Sequence, residues 1–121
     1  MIIVLWVGMA LIGGAGSVLR FVVDGAIASR TGRAFPFGTL AVNLSGAVLL
    51  GLVTGLALGH DRALLAGTAA VGSYTTFSTW MFETQRLGED RQVPNLAANI
   101  VVSLVLGVAA AAAGQAVGAA L

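Results

Sequence analysis

The sequence predicts an all-α membrane protein with four transmembrane helices, the third broken near its middle. Three observations predict this. First, of 121 residues 58% are apolar and only 9% charged, with a mean hydropathy of +0.97, where an ordinary globular domain is about 25% charged. Second, the charges fall in clusters that cut the chain into four apolar stretches. Each is about 20 residues long, the length needed to cross a hydrocarbon core of about 30 Å at about 1.5 Å per residue. Third, the third stretch carries the run Gly72-Ser73-Tyr74-Thr75-Thr76-Phe77-Ser78-Thr79, in which six of the seven positions from 73 to 79 bear a hydroxyl.

The same composition closes off other classes. With no cysteine there is no disulfide scaffold, cysteine-ligated zinc site or thiol enzyme. All six basic residues are arginine, against five acids, for a formal charge of +1. No basic face exists to neutralise phosphates, so no nucleic-acid partner is expected. The hydrophobicity is too high for disorder. No enzyme is expected either. A lone His60 in a polar connection cannot supply a spaced Ser/His/Asp set. Gly13-Gly14-Ala15-Gly16 has neither a following lysine nor a βαβ setting, and close packing explains it better than a phosphate loop.

The chain reads as one domain over 1–121, with helices over about 2–23, 37–58, 63–82 and 95–118. The first is uncharged before Arg20, and no basic residue precedes it, so it reads as a retained helix and not a cleaved signal. Asp24 to Pro36, with Arg30, Gly32 and Arg33, reads as a loop, and Pro36 suits the opening of the second helix. His60-Asp61-Arg62 makes a tight polar connection. The charged stretch from Glu83 to Pro94 links the third span to the fourth.

Glycine and consecutive β-branched residues weaken a helix over 72–76. At membrane depth, non-helical backbone is tolerated only where it is buried in protein or lines a wet cavity. A break is therefore expected there, in preference to hydroxyls that merely bond back to the preceding turn. Its freed carbonyls are suited to hold a cation, as in the broken helices of transporters. Asn43, two turns into the second helix after Thr39, is expected either to join helices or to aim amide donors into an aqueous vestibule. Arg20 is expected to snorkel or to pair with Asp24 one turn on, and Glu83 to pair with Arg86. Small residues recur every fourth position at Asn43, Ala47, Gly51, Gly55 and Gly59, and at Asn99, Ser103, Gly107, Ala111 and Gln115. Such stripes let helix backbones approach closely in lipid, within one chain or between two. Four short helices offer little interior for a path, so an oligomer is expected.

Three stretches carry a resemblance that covers almost the whole chain. They are Gly13-Gly14-Ala15-Gly16-Ser17-Val18-Leu19-Arg20-Phe21, then Gly38-Thr39-Leu40-Ala41-Val42-Asn43-Leu44-Ser45-Gly46, then Thr75-Thr76-Phe77-Ser78-Thr79 with Glu83 downstream. Together they resemble the CrcB/Fluc family of small dual-topology fluoride ion channels. The resemblance implies an antiparallel dimer of four-helix subunits in the cell membrane, with two pores along the interface. It also implies a structural sodium ion (Na+) at the dimer centre, held by main-chain carbonyls of Gly72 and Thr75 from both subunits. By motif position, the pore asparagine falls on Asn43, the pore phenylalanines on Phe77 and on position 80, and the fourth-helix serine on Ser103. The hydroxyls of Ser78 and Thr79 fall on the polar track. Fluoride is small and strongly hydrated, so a pore must replace its water with donors at close quarters. Asn43, Thr39, Ser78, Thr79 and Ser103 offer such donors. The positive ring edge of Phe77 suits an anion, and Arg20 biases the field at the entrance. Export would be passive, down the gradient that traps fluoride in a cell entered by neutral HF.

Two positions depart from the family pattern: Trp80 stands where phenylalanine is usual, and Asn99 where tyrosine is common. Arg30, Arg33, Arg86 and Arg91 fall in connections on one side, with Arg20 near them, against Arg62 alone on the other. That bias predicts a fixed orientation with the first-to-second and third-to-fourth connections cytoplasmic. The partner is then either a second copy or an oppositely oriented paralogue, giving a homodimer or a heterodimer in contact with membrane lipid. A small multidrug exporter needs a carboxylate deep in the membrane, and every acid here lies at a helix end or in a connection. A non-transporting accessory subunit would account for the small-residue stripes but not for the hydroxyls at a break.

Overall fold

The computed structural model describes all residues, Met1–Leu121, and is helical throughout with no strand. Helix α1 (Ile2–Thr31) ends at Gly32, whose φ of 75° lies in the left-handed region that glycine enters freely and whose N–H donates to Ala28 O at 2.9 Å. Pro36 caps α2 (Phe37–Leu56), which closes on Ala57 at φ 51°, ψ 49°, with its N–H on Thr54 O. The third segment is built from pieces. A single turn, α3 (His60–Ala63), leads into a π-helical stretch over Leu64–Val71 and a last α-helical turn, α4 (Gly72–Tyr74). Thr75 and Thr76 are extended, and α5 (Phe77–Glu89) resumes the helix. Helix α6 (Val93–Ala120) begins with Pro94 in its first turn, where the missing N–H costs nothing. The uninterrupted helices α1, α2 and α6 are each long and apolar enough to cross a membrane. The segment over 60–89 does not qualify as one helix because of its break.

Helix ends differ from those expected. The stretch from Asp24 to Thr31 is helix and not loop, so Arg30 sits on α1. Likewise α5 runs through the charged residues to Glu89, which leaves only 90–92 as a connection. His60-Asp61-Arg62 is a helical turn. Hydropathy marks where a helix leaves the lipid; it does not stop the helix, and alanine-rich backbone carrying an occasional charge continues it into water.

The tightest packing joins α2 to α6, through glycine. A Cβ added at Gly51 would collide with Ala111 O and approach Gln115 N to 2.8 Å. One added at Gly114 would collide with Val48 O and lie 3.0 Å from Leu52 N. Gly55 meets Ala119 N at 2.7 Å, and Gly118 meets Leu56 N at 3.1 Å, by the same construction. These are backbone-to-backbone approaches that no side chain can relieve. Gly51 and Gly55 of the second-span stripe thus serve packing inside one chain, while Gly59 has nothing within 4 Å. In α6 the contact face is Ala111, Gly114, Gln115 and Gly118, while Gly107 touches nothing. Helix α1 packs on α2, the π-helical stretch and α4, with Gly16 pressed against the Ser73 hydroxyl and 2.9 Å from Ala70 O by the same measure.

Candidate ion pathway

The break is held by one side chain from α2. Asn43 Nδ2 donates to Thr76 O at 2.9 Å, and Thr76 N–H donates to Asn43 Oδ1 at 2.8 Å. The amide group thereby takes the place of a backbone partner that the interrupted helix no longer offers. Thr75 N–H still reaches Val71 O at 3.0 Å. Thr76 N–H is turned to Asn43, so the Gly72 carbonyl loses its usual i+4 donor. On the other side of the break, Thr76 Oγ1 accepts from Thr79 N–H at 3.1 Å and caps α5. Thr76 was not among the residues expected at the site, although a threonine placed before a helical stretch is a legible N-cap signal.

Three cavities meet along this junction. The largest, about 730 Å³, lies between α2 and the third segment and is lined by Asn43, Gly72, Thr75, Thr76, Phe77 and Trp80 among others. A second, about 220 Å³, is lined by Arg20, Phe21, Asp24, Thr39, Val42, Thr76 and Thr79. A third, about 10 Å³ and the size of one water, lies toward the Arg33 end, where Asp24, Thr39 and Glu83 face it. Thr76 lines both the first and the second, and Asp24 and Thr39 line both the second and the third. Two small polar spaces thus lie between the α1–α2 connection and the break, and a larger, mainly apolar groove lies beside the break.

The structure brings several of the expected residues together and leaves others apart. Thr39, Thr79 and Arg20 share the second cavity, and Asn43, Phe77 and Trp80 the first. Arg20 does not pair with Asp24; its Nη1 donates to Thr75 O at 3.4 Å. Asn43 keeps one amide hydrogen free of the Thr76 staple. Phe77 is 70% exposed, with its ring edge-on to Trp80 at 5.9 Å and 80°. Ser78 is exposed and only loosely near Thr76 Oγ1, at 3.4 Å. Ser103 lines none of the cavities, so within one chain it stands apart from Asn43 and Phe77. Glu83 pairs with Arg86 at 2.8 Å, and Arg86 also donates to Arg33 O at 2.7 Å. That contact fixes the two connections at the same end of the bundle.

The two departures, Trp80 and Asn99, are bonded to each other. Trp80 Nε1 donates to Asn99 O at 3.0 Å, and Asn99 Nδ2 donates to Thr84 Oγ1 at 2.9 Å. Asn99 is 1% exposed, and its Oδ1 has no partner.

For a cation, no cluster of three histidine, aspartate or glutamate side chains exists. The donors that fit sodium are carbonyl oxygens, hard ligands of the kind broken membrane helices present. The Gly72 oxygen has lost its helical donor, and Gly72 is exposed on the bundle surface. The Thr75 oxygen carries only the long Arg20 contact and retains a lone pair.

Apolar membrane-length helices packed around a stapled break define a multi-pass helical membrane protein. The chain belongs to the CrcB family: the family described as "CrcB-like protein, Camphor Resistance (CrcB)" matches residues 7–115. Over 113 residues the chain is 71% identical to the fluoride-specific ion channel FluC 2 of Mycolicibacterium paratuberculosis, covering 93% of each chain. It is 66% identical over 113 residues to FluC 2 of Mycobacterium tuberculosis, covering 93% of this chain and 90% of that one. It is 51% identical over 89 residues to fluoride-specific ion channel FluC 1 of Leifsonia xyli, covering 69% of this chain and 64% of that one.

Proposed function

We propose that this chain is a subunit of a fluoride-selective channel of the cell membrane, through which fluoride leaves passively. The observation that carries the reading is the 71% identity, along 93% of both chains, with a protein named a fluoride-specific ion channel. The geometry supports it. A small, tightly hydrated anion needs closely placed donors, and Thr39, Thr79, Arg20 and the free amide hydrogen of Asn43 border adjoining cavities. The exposed edge of Phe77 extends that track on the face of the bundle. Trp80 already lines the Asn43 cavity, and Ser78 and Ser103 join the track only when a second subunit is supplied.

The working unit in this reading is an antiparallel dimer with two pores along its interface. A sodium ion at its centre is held by the carbonyls of Gly72 and Thr75 from each subunit. When bound, sodium supplies positive potential and pins the two breaks together. The residues of this chain shape its ligands: the Asn43–Thr76 staple takes the Thr76 N–H away from the Gly72 carbonyl and leaves that oxygen without its helical donor.

A second reading, a heterodimer with an oppositely oriented paralogue, is favoured by one observation. The Arg33–Arg86 contact puts Arg30, Arg33, Arg86 and Arg91 at one end of the chain against Arg62 at the other. That bias fixes orientation.

The test is fluoride efflux from proteoliposomes holding the purified chain, read with a fluoride electrode beside a chloride electrode. Fluoride efflux without chloride efflux is expected. Absence of fluoride efflux, both from the chain alone and from the chain reconstituted with a co-expressed paralogue of opposite arginine bias, overturns the channel. Efflux only in the second case establishes the heterodimer.

A further inference from the structure

Asp24 and Arg20 stand one helical turn apart and line the same cavity of about 220 Å³. Neither is in an ion pair. The salt bridges of the chain are His60–Asp61, Glu83–Arg86 and Arg86–Asp90. Arg20 reaches toward the break, with Nη1 on Thr75 O, while the Asp24 carboxylate lies against Gly38 at the start of α2 and takes no hydrogen bond from any side chain. Asp24 is also, with Thr39, one of the two residues shared by that cavity and the smaller space leading to the Arg33 end. The other charges facing that smaller space are Arg33 and Glu83, and Glu83 is already neutralised by Arg86 at 2.8 Å.

An unpaired carboxylate therefore lines both the small polar space at the Arg33 end and the cavity that the guanidinium makes attractive to anions. Its field opposes that of Arg20 at short range. We infer that Asp24 is a throughput-determining residue. Its charge holds down anion occupancy of the Arg20 cavity and makes entry from the α1–α2 connection the slow step for fluoride. This inference rests on the fluoride-channel reading above.

The test compares fluoride efflux of wild type, Asp24→Asn, Asp24→Ser and Asp24→Glu in proteoliposomes at low and high ionic strength. Intact elution as a dimer serves as the check on folding for each. Removing the charge is expected to raise efflux about three- to tenfold at low salt, and the gain is expected to shrink as salt screens the cavity. Asp24→Glu keeps the charge and is expected to stay near wild type. If Asn loosens the contact with Gly38, the smaller Ser reads the same charge effect. Folded neutral variants whose efflux does not exceed that of wild type at low salt overturn the role of Asp24 and leave the channel standing. A wild type that carries no fluoride overturns the channel itself.

Discussion

Asn43 and Thr76 complete one another. The asparagine amide gives a hydrogen to the threonine carbonyl at 2.9 Å and takes one from the threonine N–H at 2.8 Å, across a sequence gap of 33 residues. Asn43→Asp keeps the acceptor and loses the donor, which sets a carboxylate oxygen against Thr76 O. It is expected to cost about 2–4 kcal/mol and to abolish fluoride efflux. Unfolding in detergent, followed as loss of the wild-type elution peak on size exclusion, checks the first; the fluoride electrode checks the second.

Thr76 also caps α5, through its Oγ1. Thr76→Val keeps the shape and removes the acceptor, and about 1 kcal/mol of stability is expected to go with it, while Thr76→Ser should retain most of it. Chemical denaturation of the three proteins side by side decides the matter.

Glycines of similar appearance carry different burdens. Gly114→Ala forces a Cβ onto the Val48 carbonyl, whereas Gly14 has nothing within 4 Å. The first change is expected to destabilise the subunit by several kcal/mol, on the order of a mispacked core (~3 kcal/mol). Gly14→Ala is expected to be neutral or to stabilise α1 by up to ~1 kcal/mol. Midpoint temperatures of the two purified variants should therefore move in opposite directions or differ widely.

The indole N–H of Trp80 donates to the Asn99 carbonyl. Trp80→Phe is expected to cost about 1 kcal/mol through that bond while leaving fluoride selectivity over chloride unchanged. A stability measurement paired with the two-electrode efflux assay checks both halves.

Much of this arrangement was legible from residue order, because lipid imposes a simple length rule and punishes exposed backbone. The four apolar stretches and the interruption near 75–76 follow from those two constraints. Partners were less legible. Asp24, four residues from Arg20, is the natural ion-pair partner on a helix, yet Arg20 turns to Thr75 O, because α4 ends against α1 and presents a bare carbonyl there. That Asn43 joins helices was one of two readable roles, but its partner Thr76 was not, since nothing local names the residue across the gap. The continuation of α1 to Thr31 was hidden for a different reason: charges at 24 and 30 signal water, and helices extend into water freely. Trp80 and Asn99 each look like an isolated exception to a pattern, and residue order does not reveal that the Trp80 indole reaches the main-chain carbonyl of residue 99.

The glycine seam between α2 and α6 bears on how the subunit is made. Val48 meets Gly114, and Leu52 meets Gly118, so the closest seam in the molecule cannot form until α6 has been made. Until then α2 enters the bilayer with its grooved side unoccupied. A chain whose α6 stops before Gly114 should therefore insert normally but be cleared by membrane quality control.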